Sequence, residues 1–183
     1  MGLDMYLEGS FSTRAYIQPT DQQYADMREG KEVTVKRSPE LEDALNAIGL
    51  QDAPIDHQYN HMTYTFPIIT WRKANQIHKF FVDNCQEGND NCQRHYVSTG
   101  DLKMLLDRIN TILEIKTPVA REMKAEELLP TDVEGCFFGT KEYDDWYYKD
   151  LEDTKKVLDK LFEYEENAES GKNFDNFYYQ SSW

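Results

Sequence analysis

The chain has 183 residues, with 34 acidic against 20 basic side chains (formal charge −14), 39% hydrophobic and 13% aromatic content. That mixture excludes a collagen-like, low-complexity or disordered chain, and no run of about 18 apolar residues is present to cross a membrane. Its length suits one ordinary domain, so a single domain over 1–183 is expected, with a mobile loop at 18–32 and a mobile tail at 167–183.

In chain order, Leu3 to Leu7 alternates apolar and polar residues and predicts a strand that Gly9-Ser10 breaks. Ala15-Tyr16-Ile17 is a second short β segment, residues 20–32 are a polar loop, and Val33 to Lys36 predicts another strand. Ser38-Pro39-Glu40 opens a helix with a cap, a first-turn proline and acids near its N-terminus, and Gly49 stops it. His61 to Ile69 has a β composition leading through Pro67, and a helix is expected from Thr70 to Cys85.

Ser98 to Asp101 caps the next helix, whose stripe of Leu102, Leu105, Leu106, Ile109, Ile112 and Leu113 follows the 3.6-residue period. One helical turn is expected at Ala125 to Leu129, and a buried strand at Gly135 to Gly139. A third long helix runs over 142–166 on the stripe Tyr143, Tyr147, Leu151, Thr154, Leu158 and Leu161. The aromatic tail from Phe174 is a final strand or an arm that docks on a partner. These elements predict an α+β fold with a small antiparallel sheet packed with three main helices, the alternative being a mostly α fold.

The acid excess is uneven: residues 1–70 and 141–169 each hold eleven acids and five bases, whereas residues 71–140 hold eleven and nine. The compact basic cluster Arg72-Lys73 with Lys79 is too small for a duplex-binding surface, so direct nucleic-acid binding is not expected. Mimicry of nucleic acid by the acidic helix 142–166 is a further alternative.

Two segments concentrate ligand-type chemistry. Trp71, Asn75 and His78 are spaced to share a helix face, with Arg72 and Lys73 beside them to meet an anionic group. Tyr143, Trp146 and Tyr147 join aromatic rings to acids. Together Trp71, Arg72, Lys73, Asn75, His78, Tyr143, Trp146 and Tyr147 form the candidate ligand-binding set.

His78 is the candidate general acid/base should the chain be an enzyme. No phosphate loop, nucleophile elbow or zincin motif accompanies it, so binding is favoured over turnover. His78, Cys85, Cys92 and His95 offer two thiols and two imidazoles but lack zinc-module spacing; they are the alternative to having no metal. No cofactor is expected.

The opening Gly2 to Leu7, the run Trp71 to Asn84, and the block Leu128 to Thr131 through Phe137-Phe138-Gly139 to Glu142-Tyr143-Asp144-Asp145-Trp146-Tyr147 resemble a family of small acidic proteins encoded by bacteriophages and bacterial prophages. The resemblance covers mainly residues 1–8 and 70–155. The family usually has Val at the position of Cys85, which weakens the zinc set, and it has no assigned catalytic residues to carry over. It implies a phage or prophage context with action in the host bacterial cytoplasm. In that context the two dense segments predict an accessory protein that engages a host protein or sequesters a small metabolite or nucleotide signal, as counter-defence or host takeover. Monomer and homodimer are both open.

Overall fold

A computed structural model describes residues 2–53, 61–131 and 139–183. The elements run β1 (Asp4–Arg14), α1 (Asp21–Arg28), α2 (Pro39–Ala47), β2 (His61–Arg72), α3 (Asn75–Cys85), β3 (His95–Val97), α4 (Thr99–Glu114), α5 (Pro118–Leu128), α6 (Asp145–Asn167) and β4 (Asn176–Ser182). The fold is α+β, and its four-stranded antiparallel sheet has the order β2-β1-β4-β3. No helix among the described residues is long and apolar enough to cross a membrane.

The chain divides into two compact units, Ser12–Tyr64 and the remainder, with boundaries inside β1 and β2. The larger unit holds most of the sheet and α3 to α6. Pairing places Leu7 opposite Tyr179 and Met5 opposite Ser181, and on the other side of β4 His95 opposite Tyr179. The pleat therefore turns Met5, Leu7, Val97, Phe177 and Tyr179 to one buried face. The helices lay their stripes there: Ile77 and Phe81 from α3, Leu102, Leu105, Ile109 and Ile112 from α4, and Leu151, Leu158 and Leu161 from α6. Phe81 stacks on Tyr179 with ring centroids 4.2 Å apart, and Trp71 leans on Phe81 at 5.9 Å. α4 starts on a reciprocal cap, in which Ser98 Oγ accepts from Asp101 N–H and the Asp101 carboxylate accepts from Ser98 N–H, both at 3.0 Å. Such a box stabilises a helix by about 1 kcal/mol.

Several expectations are corrected. Gly9-Ser10 does not break β1; both residues pair with β4, Gly9 with Phe177 and Ser10 with Asn176, and the Phe174 ring lies over Gly9, where a Cβ would meet it at 2.6 Å. β2 runs on through Thr70 to Arg72, so α3 begins at Asn75 and Thr70 does not cap it. The β-branched run Ile68-Ile69-Thr70 favours the strand, and Pro67 is tolerated because β2 is an edge strand. α5 spans Pro118–Leu128, more than the single turn expected. The tail forms β4, paired with both β1 and β3. Of the strand expected at 135–139, residues 135–138 lie outside the described residues.

The smaller unit has its own core of Ala15, Tyr16, Leu41 and Leu45, with Val35 and Met62 packed against it. α2 is capped as expected, Ser38 Oγ accepting from Leu41 N–H at 3.2 Å. The strand expected at 33–36 reduces to one bridge, Tyr16 to Arg37. Within the supposed loop 18–32, residues 21–28 form α1, held by a reciprocal cap between Thr20 and Gln23 although none of its residues is buried.

Candidate functional site

All of the site lies in the larger unit. At the end of β2 the chain turns sharply. Lys73 adopts a left-handed φ of 62°, its N–H donates to Leu3 O at 2.8 Å, and its carbonyl accepts from Asn75 N–H at 2.9 Å. Between them Ala74, with φ −77° and ψ 73°, makes an inverse γ-turn. Gly139, itself at φ 96°, presses on this turn so closely that a Cβ would sit 2.7 Å from Lys73 O. α3 then presents Gln76.

The facing wall is the start of α6. Asp144 caps it, its carboxylate accepting from Tyr147 N–H at 3.0 Å. Trp146, Tyr147 and Asp150 follow within two turns. Together with Arg72, Lys73, Gln76, Gly139, Thr140 and Glu142 these residues line a cleft of about 220 Å³.

The electrostatics of the cleft centre on Asp150. Burial, helped by the nearby Asp153 and Asp144, raises its carboxyl from the ordinary 3.8 to about 6, against the opposing pull of Gln76 and Lys149. Its contact with Gln76 is long: Nε2 donates to Asp150 Oδ2 and to Tyr147 O, each at 3.4 Å. Trp146 is 77% exposed at the rim. Tyr147 contributes its ring while its hydroxyl donates to Leu129 O at 2.9 Å, and burial raises its pKa, so it is no proton donor to solvent at neutral pH. Tyr143 meets that ring edge-on at 4.9 Å. Arg72 is mostly exposed, its Nε 3.7 Å from Asp4 Oδ1.

Of the eight residues expected to bind ligand, four therefore line one cleft: Arg72, Lys73, Trp146 and Tyr147. Tyr143 backs Tyr147. The row of Trp71, Asn75 and His78 does not form, because Trp71 belongs to a strand and the helix begins after it. Trp71 is buried, and its Nε1–H donates to Thr154 Oγ1 at 2.7 Å; Thr154 in turn donates to Asp150 O at 2.6 Å. It thus secures the turn of α6 that carries Asp150. Asn75 is also buried, with Nδ2 donating to Thr140 O at 3.4 Å and Oδ1 without a partner among the described residues.

His78 is 0% exposed and lies in a separate polar centre. Its Nε2 is 3.0 Å from Asp90 Oδ2 and its Nδ1 2.7 Å from Tyr179 Oη, while Ser181 Oγ donates to Asp90 Oδ1 at 3.4 Å. Burial lowers the His78 pKa, outweighing the pull of Asp90. The neutral ring that burial favours can donate from Nε2 to Asp90 and accept from the Tyr179 hydroxyl at Nδ1.

The alternative metal set is not assembled. Among the described residues no group of three His, Cys, Asp or Glu is arranged to hold an ion. His78 is engaged as above, His95 Nε2 is 3.0 Å from Asn91 Oδ1, and Cys85 packs on the core with its thiol pushed up to about 12 by burial.

Gln76, Thr140, Glu142, Asp144 and Gly139 join the site without having been expected. Asp150 shares a helix face with Trp146 and Tyr147 and was detectable by spacing; Gln76 lay within the expected helix but off the face that Trp71, Asn75 and His78 were expected to share. The chain matches no protein-family model, no curated protein and no solved structure.

Proposed function

We propose that this protein works by binding, and that the cleft between the β2–α3 turn and the start of α6 captures a small polar metabolite or nucleotide-like signal. The observation that carries the reading is convergence. Arg72 and Lys73 meet Trp146 and Tyr147 across one cleft, although more than seventy residues separate the two pairs. An indole at a rim with charged groups of both signs behind it suits capture and orientation of a small molecule. Turnover is less well supported, since His78, the candidate acid/base, is sealed in a different polar centre. Mimicry of nucleic acid is also disfavoured, because lysines pair within the acidic face of α6, Lys149 with Asp153 and Lys155 with Asp159. The setting comes from the resemblance: a phage or prophage accessory protein acting in the bacterial cytoplasm, with the captured molecule a host metabolite or signal.

Native mass spectrometry of the protein released gently from bacterial cells tests the reading. A small molecule should leave with the chain and be lost from the double variant Arg72→Ala, Trp146→Ala. A bare chain, unshifted in melting temperature by a pooled small-molecule extract, would overturn it. A host protein recovered in place of a small molecule would transfer the function to surface contact.

A further inference from the structure

We infer that the ligand of this cleft is dipolar, a small zwitterion whose cationic end meets Asp150 and whose anionic end meets Lys73. The inference rests on the cleft being a binding site and names the chemistry it selects.

The two walls differ in sign. The β2–α3 turn supplies Arg72 and Lys73; the start of α6 and its approach supply Glu142, Asp144 and Asp150. A ligand of one sign would be attracted by one wall and repelled by the other, whereas a dipolar one is attracted by both. Arg72 already has Asp4 within 3.7 Å, while Lys73 has no ion-pair partner among the described residues. The Lys73 backbone is held in place as well, left-handed, pinned by Leu3 and pressed by Gly139.

Opposite it, Asp150 is partly withdrawn from water with only the long Gln76 amide contact on its side chain among the described residues. A cation arriving there would find a carboxylate that the protein leaves poorly compensated, and the rim indole could stack on a planar or methylated cation. The volume, about 220 Å³, lies below the roughly 300–1,000 Å³ of drug-sized pockets. It suits a molecule the size of an amino acid.

Isothermal titration calorimetry with four zwitterions tests this: L-arginine, L-lysine, γ-aminobutyrate and phosphoethanolamine. Each is paired with a counterpart lacking one charge or reversing it: arginine amide, lysine amide, putrescine and ethanolamine. Glutarate serves as an anion of both ends. At least one zwitterion should bind tenfold or more tightly than its counterpart, and glutarate should not bind. Asp150→Asn should weaken that zwitterion at least tenfold while the protein stays folded, and Lys73→Gln should abolish the preference over the counterpart. Protonation of Asp150 in the free protein should weaken binding by up to about tenfold per pH unit below about 6. The groups around it, Asp144, Lys149 and Asp153 on α6, Glu142 before it, and Arg72 and Lys73 opposite, are the charges that set this profile.

Equal or tighter binding of the counterparts overturns the inference, as does silence from all four zwitterions. A neutral or wholly anionic molecule recovered in the cleft would also overturn it while leaving the binding reading standing. Failure to bind any small molecule would remove both.

Discussion

Asp90 and Asp150 are both partly buried in the larger unit, and the neighbours they meet differ. Asp90 has His78 on one oxygen and Ser181 on the other, and the network ends in the Tyr179 hydroxyl beneath the core stacking of Phe81. Asp150 has one amide at 3.4 Å and opens on a cleft. A buried polar group with its partners in place costs little and fixes one packing. A carboxylate withdrawn from water without them weakens the fold, and such groups concentrate where a ligand will complete them. On the proposed reading the first site is structural and the second binds ligand, and each can be broken separately.

The largest effect is expected from His78→Leu. It removes the histidine partner of both the Asp90 carboxylate and the buried Tyr179 hydroxyl and should cost about 3 kcal/mol, read as a lower urea midpoint. Binding by the molecules that remain folded should be unchanged. Gly139→Ala attacks the other site: its Cβ would meet Lys73 O at 2.7 Å, at a backbone φ of 96°. A loss of about 2 kcal/mol is expected, and here ligand binding should fall too, because the Lys73 turn must move.

The two sites also titrate in opposite senses. The His78 pKa lies below its unfolded value of 6.5, so the unfolded chain takes up the proton first and stability falls as pH drops through 6.5. The Asp150 pKa is about 6 against 3.8 unfolded, so the folded state takes up the proton first. Its ionisation penalty is absent below 3.8 and complete above about 6. Asp150→Asn should therefore stabilise the protein by about 1 kcal/mol at pH 7.5, discounted for partial exposure, with the gain fading towards pH 4. Denaturant midpoints for both variants across pH 4–8 check the signs. No gain from Asp150→Asn would mean that Asp150 is as well compensated as Asp90. The smallest effect is expected from Trp146→Ala, within about 0.5 kcal/mol in stability because the ring is exposed, but with loss of ligand-linked fluorescence change.

Periodicity made the helices legible wherever a helix carries a continuous apolar stripe. The stripes from Leu102 to Ile112 and from Leu151 to Leu161 are legible from spacing alone, and all of those positions are buried except Leu106, which packs half-buried against the core. α1 escaped because it buries nothing; its sequence signal was the Thr20–Gln23 cap, outweighed by polar composition. The start of α3 escaped because Thr70 is both a good cap and a good strand residue, and only the sheet decides between them. That five-residue error set Trp71 on a helix to which it does not belong and placed Trp71, Asn75 and His78 in a cleft they do not line. The acidic wall was partly visible, since Trp146, Tyr147 and Asp150 follow from helix geometry. Its pairing with Arg72 and Lys73 is a long-range contact that no local pattern encodes.

β1 and β2 are neighbours in the sheet, yet the chain between them is not a tight hairpin turn; the smaller unit, Ser12–Tyr64, occupies that connection with a core of its own. In genetic terms it is a cassette carried at a loop tip, the place where insertions are best tolerated because closing a longer loop adds only about 0.6 kcal/mol per doubling of length. A chain with a short turn in place of this segment would keep every residue of the site.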